Sequence, residues 1–147
     1  MPLSYAFDPD LRVVCFLYGG TFDVASALDA FRDFAAAHEG AGPLKFLNIF
    51  DRRADLSELK PDLLRALKDE LRDILGAHGI VRERTAFVLD GSIEVRLIGP
   101  LWEGINAADP DTRFPMRFFD TLEDVPAFFD CDPAPLQALV RQVRTQG

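Results

Sequence analysis

The chain is poor in the side chains that most often carry chemistry. Its 147 residues include two histidines, two cysteines and one tryptophan. His38 and His78 stand in AAAHEG and LGAHG, outside any metal-ligand spacing, so a zinc-type site has no obvious donors. Each is expected to close a helix, where an imidazole suits the negative end. Cys15 and Cys131 lie far apart and make no disulfide framework, which fits a reducing compartment. No apolar run approaches the ~18 residues of a membrane span. The opening MPLSYAFDPD lacks the basic and apolar regions of a secretory leader. The expectation is a soluble cytoplasmic protein. Positive charge is also in deficit: 16 bases against 24 acids give a net charge of −8. An acidic body repels phosphate backbones, which argues against nucleic acid and anionic membrane as partners. No glycine loop of phosphate-binding type and no nucleophile with a nearby base can be found. The reading is of a protein that is not an enzyme, with no cofactor and no bound metal.

What is abundant is phenylalanine, thirteen residues against two tyrosines. A ring without a polar tip fills a dry interior cheaply. The length suits one domain, residues 1–147. Leu3 to Phe7 alternates as a strand, and Asp8-Pro9-Asp10 has turn chemistry. LRVVCFLY, from Leu11 to Tyr18, is apolar on both faces, so it is expected at the centre of a covered sheet. Gly19-Gly20 stops it. Thr21 is read as the cap of a helix over about 22–38, with Val24, Leu28, Phe31 and Ala35 inward. LKFLNIF, from Leu44 to Phe50, is a strand followed by the polar loop DRRADLSE.

A second helix is expected over about 60–78, Pro61 in its first turn and Gly79 at its stop. Leu64, Leu67, Leu71, Ile74 and Leu75 face the core, and Lys68, Asp69, Arg72 and Asp73 face water. TAFVL, 85–89, is a strand. A third helix over about 93–107 contains Gly99-Pro100, which predicts a kink or a split. A short strand at 116–119 precedes Asp120, whose spacing to Glu123 reads as a capping box. Leu122, Val125 and Phe128-Phe129 pack inward. A last helix, 133–146, buries Leu136, Leu139, Val140 and Val143. The order is β-β-α-β-α-β-α-β-α-α. It predicts an α/β fold with a mixed, mostly parallel sheet of four to five strands, a leading β-hairpin and packed helices.

Three strands end alike, in FLNIFD, AFVLD and FFD. Asp51, Asp90 and Asp120 would therefore gather at the carboxyl edge of the sheet, where open α/β folds bind ligands. They read either as a carboxylate cluster or as caps of the following turns, Asp being among the best capping residues. Arg52-Arg53 is an anion-binding candidate, or a surface pair neutralised by Asp51 and Asp55. Trp102 is a candidate partner anchor or a core residue.

The segments GGTFDVASALDAFRDF and LNIFDRRADLS carry a resemblance to the small bacterial STAS-like, or anti-sigma-factor antagonist-like, proteins. The matching elements are Phe16 to Gly20, Thr21, Val24 to Phe34, Leu44 to Asp51, Arg53 and Leu56-Ser57. RTAFVLD and FFDTLEDVPAFF are similar to the family's closing elements. The likeness covers about Tyr5 to Phe129, within a core at 3–129, and leaves out the C-terminal helix at 133–146. It implies a mixed sheet with helices against it, no catalysis, and regulation by docking on a partner protein. It places a regulatory serine at Ser57, although Glu58 and Leu59 depart from the family's pattern. Residue chemistry alone assigns Ser57 to helix capping.

Two functional expectations follow. One is a non-catalytic STAS-like protein-interaction or regulatory module, acting on a protein partner or on a second copy of itself through apolar surface on helix three or the last helix. The alternative is a small-molecule or lipid-binding domain. Its apolar pocket would lie between the sheet and helix three, motivated by Gly99-Pro100 and the Phe-rich interior. A metal enzyme built on Asp51, Asp90 and Asp120 ranks third.

Overall fold

A strand, a helix and a parallel strand laid beside the first: the chain makes this move three times. The computed structural model describes residues 3–57, 60–89, 93–109 and 114–146. β1 (Leu3–Asp8) and β2 (Val13–Tyr18) form an antiparallel hairpin. Asp8 closes its turn, accepting from the Asp10 and Leu11 amides at 2.9 and 3.1 Å. Then come α1 (Val24–Ala37), β3 (Gly42–Phe50), α2 (Pro61–Ala77), β4 (Ile80–Leu89), α3 (Ile93–Ala107) and β5 (Met116–Phe119). A 3-10 turn at Leu122–Asp124 leads into α4 (Val125–Phe129) and α5 (Pro133–Gln146). The sheet order is β1-β2-β3-β4-β5, with every pair after the hairpin parallel. The α/β class and the mixed, mostly parallel sheet are as expected.

Strand neighbours are sequence neighbours, so all three crossovers step in one direction. Crossovers of one hand then put their helices on one face. Val14, Phe16, Tyr18, Phe46, Phe50, Phe87 and Leu89 share a core with α1, α2 and α3. Val13, Cys15, Leu47, Ile49, Ala86, Val88 and Phe119 form a second core beneath α4 and α5. The alternation is the period of two of a strand buried on both sides. A register shift breaks it once, since Leu44 pairs with Arg82 and Lys45 with Arg84. Glu83 is the extra residue of this bulge. As bulges do, it re-aims its neighbours. Arg82 joins Thr85 and Phe87 on the helix-bearing face, while Arg84 points the other way and donates to the Phe128 carbonyl.

Several local expectations need correction. Asp23, not Thr21, caps α1, accepting from the Ser26 amide and hydroxyl at 3.3 and 2.7 Å. Thr21 instead pairs with Asp55 in an isolated parallel bridge. β4 begins at Ile80, five residues before the expected strand, because TAFVL is only its apolar end. Thr121, not Asp120, caps the turn after β5 through the Glu123 amide. α3 runs through Pro100 as one helix. Gly99 there does not break it: a Cβ would stand 3.2 Å from Leu89, so the missing side chain lets α3 approach the sheet. Lys68 is the largest departure. It is 5% exposed and buried, not facing water.

Candidate functional site

At the carboxyl edge Asp51 and Asp120 occupy separate settings. Asp51 accepts from the Arg53 amide at 3.2 Å and stands 3.9 Å from Arg144 of α5. It therefore shapes a turn and tethers the last helix. Asp120 is exposed past β5, beside Pro100 and Glu103 on a shallow depression of about 180 Å³. Asp90 lies outside the described residues. No group of acidic, histidine or cysteine side chains among the described residues could hold a metal. His38 and His78 end α1 and α2, as expected from sequence.

Arg53 and Ser57 lie on a loop stitched to the one after β2. The Gly20 amide donates to the Arg53 carbonyl, and the Phe22 amide and Asp55 carbonyl meet at 2.8 Å. The N-cap of α2 is Lys60, not Ser57. Ser57 is exposed, and its amide donates to Asp55 at 3.0 Å. Hydrogen bonds from the Ser57 amide and hydroxyl hold the Asp55 carboxyl below its usual range. Arg53 is exposed as well.

The sheet face under α1, α2 and α3 offers a different site. It encloses a cavity of about 50 Å³, walled by Tyr18, Phe46, Phe50, Phe87 and Phe118 from the sheet and by Phe31, Leu64, Leu67 and Trp102 from the helices. The aromatic wall is continuous: Tyr18 stacks on Phe50 at 4.5 Å and Phe87 on Phe118 at 4.8 Å. Trp102 tilts against Phe87 at 5.7 Å, which places the candidate anchor in the wall of the cavity. Among the described residues, polar groups of Asn48, Thr85, Arg82 and Trp102, with the Tyr18 hydroxyl, interrupt this lining.

Asn48 is satisfied, since the fully buried Tyr18 hydroxyl donates to its Oδ1 at 3.2 Å. Burial pushes that phenol well above its ordinary range. The other two neutral groups are not satisfied. Thr85 is 4% exposed, and among the described residues no group bonds its Oγ1 or the buried Nε1 of Trp102. Beside them Asn106 donates to Met116 Sδ at 2.7 Å while its Oδ1 stays unpaired.

Arg82 completes the lining. Its guanidinium lies over the Phe114 ring, 4.4 Å from the centroid. Burial lowers its pKa to about 10, helped by the nearby charge of Arg72 and opposed by Asp109. It remains cationic at neutral pH. On the outer side of the cavity Lys68 of α2 donates to Asp109, just past α3, at 2.5 Å. This ion pair spans the seam between the two helices.

The sequence offered a pocket between sheet and helix three as the alternative reading, with Trp102 as a candidate residue but not Asn48, Thr85 or Arg82. Thr85 stood as the first residue of a strand, and Lys68 was expected to face water. Only the unusual run of charge in VRERT, ahead of an apolar strand end, hinted at the bulge. Compared with protein-family models, curated proteins and solved structures, the chain shows no match.

Proposed function

We propose that the chain is a non-catalytic binding module of STAS-like architecture that holds a small, largely apolar ligand between the sheet and helices α2 and α3. One observation carries this reading: Thr85 and Trp102, which both line one aromatic cavity, each carry a buried polar atom, Oγ1 and Nε1, with no hydrogen-bond partner among the described residues. A buried polar group without a partner costs roughly 1–3 kcal/mol. Binding sites have this makeup, an apolar wall with a few polar groups that fix orientation. The element order, with its leading hairpin and helices against a mixed sheet, is the arrangement the STAS-like resemblance implies.

The protein-docking reading has less support. A phosphate on exposed Ser57 would sit against the Asp55 carboxylate, which repels it. The cavity, by contrast, is described atom by atom. Trp102 is the single tryptophan of the chain, so its emission reports on this site alone. Titration with short alcohols and short carboxylates tests the reading. The expected result is a saturable change in Trp102 emission and a rise in melting temperature with at least one of them. Emission and melting temperature unmoved across both series would overturn the proposal.

A further inference from the structure

We propose that the ligand is a short-chain monocarboxylate, its carboxylate on Arg82 and its apolar tail in the cavity. The inference rests on the binding reading above and names the ligand's chemical class.

Arg82 is placed for this by the backbone. Without the bulge at Glu83, strand alternation would put Arg82 and Thr85 on opposite faces of the sheet. The register shift brings both to the cavity and sends Arg84 to the other core, where the Phe128 carbonyl satisfies it. Among the described residues neither a side-chain hydrogen bond nor an ion pair within 4 Å engages the Arg82 guanidinium. Stacking on Phe114 uses only the face of the group. Its N–H donors lie in the plane, in the fork that fits a carboxylate.

Charge and size narrow the class. The protein carries −8 overall, so an anion needs a local cation to enter. Asp109 acts on Arg82 only from a distance and is bonded to Lys68. Among the described residues one cation lines the cavity, which matches one negative charge on the ligand. The cavity, about 50 Å³, leaves no room for a long chain. The buried tail is therefore a few carbons long. Thr85 Oγ1 can donate to an acceptor at the head of that tail.

The test compares butyrate with 1-butanol on the full chain, reading Trp102 emission. Butyrate should bind at least tenfold tighter than butanol. In Arg82→Gln that preference should vanish. Arg82→Lys, which keeps the charge and loses the fork, should retain part of it. Equal binding of the two probes by the native chain would overturn this inference and leave the binding module standing. A butyrate preference that survives in Arg82→Gln would overturn it equally. Binding of neither probe would overturn both. The native-chain comparison decides the matter even if a variant fails to fold.

Discussion

Lys68 and Asp109 meet at 2.5 Å with side chains 7% and 19% exposed, so one partner is buried and the other touches water. The asymmetry sets the cost of breaking the pair. Asp109→Asn removes a carboxylate partner from a buried ammonium and should destabilise the protein by roughly 1–3 kcal/mol. Lys68→Met leaves a carboxylate that can hydrate and should cost less. Urea unfolding of both variants checks the order. Asp109→Asn proving the milder change would mean that the pair does not brace the α2–α3 seam.

Thr85→Val keeps the shape of the side chain and removes its unpartnered hydroxyl. A buried polar group with no bond detracts from stability, so the ligand-free variant should be more stable by roughly 1 kcal/mol. Ligand affinity should fall. Equilibrium unfolding with and without butyrate reads both effects. A loss of stability in the ligand-free variant would show the hydroxyl to be structurally bonded.

Gly76 lies in α2 away from any positive φ, and a Cβ there would meet nothing within 4 Å. Gly76→Ala should therefore stabilise by about 0.5–1 kcal/mol, the usual gain in a helix interior. Gly79, at φ +68, is the contrast. Alanine there should destabilise, because only glycine takes that conformation freely. Thermal melting of the two variants should give shifts of opposite sign.

Cys15 is buried beneath α5, and burial raises its thiol to about 12 from an ordinary value of 9.0. Cys131 is half-buried and raised by burial to a lesser degree. A thiol reagent at pH 8 should label Cys131 slowly and Cys15 only on unfolding. The linkage has one sign. The native state holds the Cys15 proton more tightly, so stability is full below about pH 9 and falls as pH rises toward 12. Cys15→Ala should flatten that alkaline decline. Rapid labelling of Cys15 in the native protein would contradict its place in the core.

The fold was legible where burial imposes a period. Val14, Phe16 and Tyr18 against Val13, Cys15 and Leu17 separate the two cores as alternation predicts. Leu136, Leu139, Val140 and Val143 mark the buried stripe of α5. Local pairing was harder to read. Thr21, Ser57 and Asp120 are all good capping residues. The caps are instead Asp23, Lys60 and Thr121. The site was the least legible part, because it depends on the bulge at Glu83. A one-residue register shift decides whether Arg82 faces the cavity, and no pattern of residue types encodes it unambiguously.

The central claim is that the aromatic cavity binds a ligand through its unpaired polar groups, and electron density from a crystal soaked in butyrate tests it most directly. The account predicts density between Trp102 and Thr85, with a carboxylate against Arg82. A cavity that stays empty, with Thr85 and Trp102 turned to bond protein groups, would contradict it.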